Sequence, residues 1–283
     1  MGYSIISMTF RNLKCSKKEK TYTCYDKDAL LKMRDMWNTR HHTDKITESD
    51  NTYIIWKQLR SRMSDICEHE KCWLQSNFRD LNLDETHLFA PFYPKSWVSN
   101  KTEWLKSSDI SRLMKHYESN YPEFMFIGPS PIDFDQIEYD NNCVWDDLCN
   151  FRLEHHLGRK KYIGIIFNTD IHTGQGIHWI SLYIDIPKKS MYFFDSIGDQ
   201  PPREVIVFMN RILQNANELG MNMSYYINQK KHQRENSECG MYCLYFIISL
   251  LEKKHNYDYF QENEIPDKSM IRYRNILFNR PSS

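Results

Sequence analysis

Cys239 opens an apolar run, Met241 to Leu251, directly behind the polar stretch Gln233-Arg-Glu-Asn-Ser-Glu. A helix mouth is where a thiol most readily becomes a thiolate, because unpaired N–H groups and the helix dipole favour negative charge. Gly240 would let another chain segment approach the sulfur closely. Gln233, six residues upstream of the cysteine, can offer a side-chain amide to a developing oxyanion. A lone Cys-Gly pair reads more simply as a buried thiol at the start of a core helix. A nucleophile also needs a base, and the base a partner that orients it; His178 and Asp195 fit those two roles. Taken singly, His178 is a core histidine and Asp195 a turn-capping carboxylate.

The surrounding elements can bring the two together. Residues 161–168 read as a buried strand, and residues 169–176 as a turn-rich loop. Residues 177–186 form a second strand rich in β-formers, and Pro187 to Ser190 a turn. Residues 191–195 form a third strand, antiparallel to the second. The start of one then lies beside the end of the other, so His178 and Asp195 can meet although 17 positions apart. Pro202 to Leu219 is an amphipathic helix, and Met223 to Ile227 a strand that delivers Gln233. Asp267 to Phe278 closes the chain as a helix. Competing residues carry plainer readings: His172 in a solvated loop, Asp185 too far along its strand, and Cys243 packed in the core. His232 adjoins Gln233 and is near enough to perturb it.

Together, His178-Trp179, Asp195-Ser196 and Gln233 followed by Cys239-Gly240 resemble the Ulp-type cysteine proteases. That group spans SUMO proteases, adenovirus protease and the polyprotein proteases of large DNA viruses. Residues 167–179 and 232–240 look most like the viral polyprotein enzymes, that of African swine fever virus among them. The resemblance implies an α+β fold, a papain-like core with a mixed central sheet. It implies Cys239 as nucleophile, His178 as base and then acid, Asp195 as its orienter and Gln233 as oxyanion donor. Trp179 and Gly240 would line a flat slot for a substrate glycine. Trp104 resembles the family's early Trp-Leu-x-Asp motif, although Asp109 stands two residues later than that motif places it. No cofactor or metal is implied. The substrate would be a viral polyprotein cut after Gly-Gly-Xaa-like sites, or alternatively a SUMO-like protein.

The chain has 283 residues and zero formal net charge, so no global field draws it to nucleic acid or membrane. A local cluster, Lys230-Lys231-His232-Gln233-Arg234, reads as a solvated loop; its alternatives are contacts to an acidic substrate patch or a nucleic-acid activator. Eight irregularly spaced cysteines do not read as a disulfide framework, and the first ten residues show no secretory signal. A soluble protein of a reducing compartment is expected, and the resemblance implies virus assembly sites in host cytoplasm and the virion. Residues 1–92 form a helical accessory arm, with helices over Asp28 to Trp37 and Ile54 to Leu74, ahead of a protease core at 93–283. Cys67, His69 and Cys72 suggest zinc, but they fall inside the expected helix and no second ligand pair matches.

Overall fold

The computed structural model describes residues 10–15, 22–139 and 141–281. The segment examined for a secretory signal lies almost wholly outside the described residues. Two compact units emerge, one of residues 1–92 with 278–283 and one of residues 93–277.

The first unit is helical: α1 (Lys27–Arg40), α2 (Thr52–Met63), α3 (Glu70–Gln75) and α4 (Glu85–Leu88). Asp26 and Asn51 cap α1 and α2 by accepting backbone N–H groups, as their types favour. Leu30, Met33, Trp37, Ile55, Leu59, Met63 and Trp73 form its core. The single helix expected over Ile54 to Leu74 is two helices. The His69 ring accepts the Cys72 N–H and starts α3, while buried Glu70 turns inward to accept from Cys24 N and the Trp56 indole. These tertiary partners outbid continued helix. The cysteine expectation is also corrected. Cys15–Cys24, Cys67–Cys72 and Cys143–Cys149 are disulfide-bonded, each closing a loop of 9, 5 or 6 positions. Such short local bridges need no regular framework spacing. Cys67 and Cys72 are thus bonded to each other, and His69 serves as a helix cap.

The second unit is built on a five-stranded mixed sheet: β1 (Phe124–Ser130), β2 (Tyr162–Asn168), β3 (Trp179–Asp185), β4 (Ser190–Phe194) and β5 (Ser224–Ile227), in that spatial order. The outer pairs β1–β2 and β4–β5 are parallel, and β2–β3–β4 are antiparallel. Around the sheet run α5 (Ser107–Asn120), α6 (Asp146–Cys149), α7 (Arg203–Glu218), α8 (Cys239–Leu251), α9 (Tyr257–Glu262) and α10 (Asp267–Leu277).

Every residue of β3 is buried because both faces of the sheet are covered. Ile163, Ile165, Ile180, Leu182 and Phe193 share one core cluster with Val205, Phe208 and Ile212 of α7. On the other face α8 packs against β2 and β3, its Phe246 stacked on Phe194 at 4.6 Å. Helix α8 is apolar all round, which suits a helix buried on every side. Gly164 makes room for it: a Cβ there would stand 2.9 Å from an Ile247 methyl. The register Ser181↔Phe194 leaves the start of β3 beside the end of β4, with the first turn of α8 packed nearby.

Candidate active site

His178 immediately precedes β3 and Asp195 immediately follows β4. Antiparallel pairing makes those two positions neighbours, and His178 Nε2 lies 2.7 Å from Asp195 Oδ1. A carboxylate only accepts, so Nε2 carries the proton of this bond. The same Oδ1 also accepts Ile197 N at 3.0 Å, which holds the carboxylate in place. Asp195 is buried.

With Nε2 bonded to Asp195, Nδ1 is the ring nitrogen left to serve the Cys239 side chain, which lies close enough to act on the His178 charge. Burial works against a charged imidazole. The hydrogen bond to Asp195 and its carboxylate charge, with the neighbouring Cys239 side chain, outweigh it and raise His178 to about 10. At neutral pH the ring is therefore an imidazolium facing a cysteine at the first position of α8.

Gln233 lies in the loop between β5 and α8 and is buried. Its Oε1 accepts from the Ser196 hydroxyl at 2.7 Å, and its Nε2 donates to Glu235 O. The neighbouring His232 is fully buried, its Nδ1 accepting Ile265 N at 3.2 Å. Burial lowers His232 to about 4, so it is a neutral packing residue against Phe194. Around it two members of the basic cluster are engaged: Lys230 Nζ donates to the Glu262 backbone carbonyl, and Arg234 pairs with the Glu264 carboxylate at 3.1 Å.

Trp179, the first residue of β3, is wedged between two elements. Its indole N–H donates to Leu105 O at 3.1 Å. A Cβ on Gly240 would stand 3.1 Å from both Leu105 Cβ and Trp179 Cδ1, so only glycine leaves this contact relaxed. Trp104 is 43% exposed and lines, with Trp179, Pro129, Pro131 and Trp145, a cavity of about 630 Å³. Asp109 is not part of that wall. It is buried at the third position of α5, accepting Lys106 N and the Arg112 guanidinium, where it caps the helix start.

The remaining candidates lie apart. His172 bonds Asp133 at 2.7 Å in the β2–β3 loop. Asp185 sits at the opposite end of β3, accepting Lys188 N. Cys243 is fully buried, and burial pushes its thiol up. Among the described residues no group of three or more His, Cys, Asp or Glu is arranged to hold a metal ion.

The family model of the Ulp1 protease family, C-terminal catalytic domain, matches residues 108–280, more than half of the chain. The chain belongs to the Ulp1 protease family. A protein of Acanthamoeba polyphaga mimivirus named as a thiol protease is 29% identical over 92% of this chain and 90% of its own length. A cysteine protease of African swine fever virus is 29% identical over 74% of this chain and 78% of its own. The crystal structure of the African swine fever virus protease superposes with a TM-score of 0.66 at 20% identity, covering 95% of this chain and 96% of that one. The shared fold is the Ulp1-like α+β core with a mixed five-stranded sheet, and family membership makes the chain a cysteine protease.

Several residues that hold this cluster in place carry no mark of that role in the sequence. Ser196 grips Gln233, and its only signal is its place next to Asp195. Asn228 donates to Asp195 O and Lys230 O, stapling the loop that carries Gln233. Glu238, at the cap of α8, forms a two-bond ion pair with Arg274 of α10, both buried, and Arg274 covers Trp97 at 4.3 Å. Nothing in the sequence pattern marks that long-range pair.

Proposed function

We propose that this Ulp1-family protein is an endopeptidase that cuts viral structural polyproteins after glycine-containing, Gly-Gly-Xaa-like sites during virion maturation. The observation that carries the reading is the cluster at one end of the sheet. An imidazolium is bonded to a buried carboxylate at 2.7 Å and lies beside a cysteine that starts a helix.

In this reading Cys239 Sγ attacks the carbonyl carbon of the substrate glycine. The C–S bond forms as the C=O π bond opens, and the oxygen takes the charge. Gln233 Nε2–H and the free N–H groups at the start of α8 stabilise that oxyanion. The His178 imidazolium gives its Nδ1 proton to the leaving amine. The neutral ring then takes a proton from the water that hydrolyses the thioester. Asp195 keeps the ring oriented throughout.

Trp179, Leu105 and Gly240 would form the slot beside the sulfur, closed enough to exclude a side chain, and Trp104 its outer wall. Both viral relatives are named as thiol or cysteine proteases; the polyprotein substrate and action at assembly sites in host cytoplasm and in the virion belong to this proposal. Among the described residues no helix is long and apolar enough to cross a membrane. Residues 1–92 would serve as an accessory arm for substrate or partner docking. A second reading, deSUMOylation, has one observation in its favour: a relative 29% identical over 74% of the chain is named a SUMO-1 cysteine protease.

The deciding experiment incubates the full chain with peptides carrying an internal Gly-Gly-Xaa site alongside SUMO–fluorophore conjugates. Peptide turnover that exceeds conjugate turnover is the expected result. Efficient conjugate cleavage with inert peptides would overturn the polyprotein reading in favour of the second.

A further inference from the structure

We propose that Ser196 is a positioning residue for the oxyanion donor: its hydroxyl fixes which way the Gln233 carboxamide faces and polarises its N–H. This rests on Gln233 being that donor. A primary amide is nearly symmetric in shape, and a flip of the side chain would aim an oxygen, not an N–H, at the substrate carbonyl. Such a flip would turn stabilisation into repulsion at the moment charge develops.

Two contacts select the useful orientation. Ser196 Oγ donates to Gln233 Oε1 at 2.7 Å, and Nε2 donates one N–H to Glu235 O, leaving its second N–H. Ser196 is fully buried, so water does not compete for either end of its bond. A donor on the amide oxygen draws electron density from nitrogen and strengthens the remaining N–H as a donor.

The same residue also sets the path of the loop. Its carbonyl accepts both His232 N and Gln233 N at 2.8 Å. Its neighbour Asp195 accepts the His178 ring, and Asn228 holds the Asp195 carbonyl at 2.8 Å. Two consecutive residues at the end of β4 thus hold the base on one side and the oxyanion donor on the other. Distances along the chain hide this: Ser196 and Gln233 are 37 positions apart.

Ser196→Ala removes only the hydroxyl contact, because the backbone bonds of residue 196 remain. The expected result is a fall in kcat of about tenfold, the worth of one neutral hydrogen bond, with KM held. A peptide aldehyde supplies the readout that a merely structural role would not move. Its carbonyl carbon bonds to Cys239 Sγ while its oxygen takes the charge in the oxyanion position, so its inhibition constant should rise by the same factor. Alkylation by iodoacetamide forms an S–C bond with loss of iodide and makes no oxyanion, so its rate at Cys239 should not change. Combined with Gln233→Ala, the Ser196 substitution should add nothing. Ser196→Cys, a weaker donor of similar shape, should fall between wild type and Ser196→Ala.

An unchanged kcat in Ser196→Ala beside a large loss in Gln233→Ala would overturn the role of Ser196 while leaving Gln233 as donor. Equal loss of alkylation and turnover, or additive losses in the double variant, would also overturn it. Full activity in Gln233→Ala would remove the donor reading and this inference with it. Should Ser196→Ala fail to fold, wild-type aldehyde affinity in Ser196→Cys would overturn the proposal and weakened affinity would support it.

Discussion

Cys239 and His178 act as one unit in the proposed chemistry, so either loss should be nearly complete. Cys239→Ser and His178→Ala are each expected to abolish peptide turnover with the circular dichroism spectrum retained. Iodoacetamide should label Cys239 well before Cys243, whose buried thiol is pushed up; peptide mass spectrometry showing equal rates would count against the assignment. Two histidines make opposite pH predictions. His178 is raised to about 10 in the folded state against an ordinary 6.5, so the folded state holds the proton more tightly. Its contribution to stability is full below pH 6.5 and is lost as pH rises through about 10. His232 is lowered to about 4, so the unfolded chain binds the extra proton between pH 6.5 and 4. Its contribution is present above 6.5 and drains away as pH falls to about 4. Urea titrations across pH should show His178→Ala flattening the alkaline limb. His232→Asn, whose Oδ1 can still accept Ile265 N, should flatten the acid limb.

At the scale of elements, the helix that carries the cysteine is anchored by charge as well as by apolar packing. Glu238 at its cap and Arg274 on α10 are both buried and joined by two bonds of 3.0 Å. Arg274→Met should cost about 3–5 kcal/mol, because it leaves a carboxylate buried without its partner. The double variant Glu238→Gln with Arg274→Met should recover most of that loss. Thermal melts of Arg274→Met, Glu238→Gln and the double variant test this, and equal melting temperatures for Arg274→Met and the double change would refute a coupled pair. The contact between the start of α8 and β3 has a steric counterpart in Gly240→Ala. Its methyl meets Leu105 and Trp179 at 3.1 Å, so these neighbours must give by a few tenths of an ångström. An error of about 1 Å beside reacting atoms can cost roughly 10²-fold in rate, so even a smaller shift there should slow turnover. Turnover of a good peptide substrate should therefore fall far more than the melting temperature.

For the molecule as a whole, the proposed function depends on excluding all but glycine next to the cut. One added methyl changes transfer energy by only about 1 kcal/mol. Against the Trp179 wall it should instead displace the carbonyl from Cys239 and nearly abolish cleavage. Trp179→Ala should lower overall activity and narrow the gap between glycine and alanine substrates. Comparable kcat/KM for both substrates in the unmodified enzyme would show that the slot does not discriminate.

The sequence alone carried the strands around His178 and Asp195, the helix behind Cys239, the amphipathic α7 and the order of the reactive residues. Each rests on local periodicity or on residue type, which the chain displays without folding. Strand β1, the break between α2 and α3, and the three disulfides were not legible. A parallel partner strand, a buried glutamate bonded across helices and a cysteine's choice of mate are long-range events with no local pattern. The same holds within the site. Residue types name a nucleophile, a base and an amide, but only tertiary structure decides which imidazole nitrogen meets Asp195. It also decides which way Gln233 faces, because those choices belong to Ser196, Asn228 and Glu235, brought together by the turn after β4 and the loop before α8.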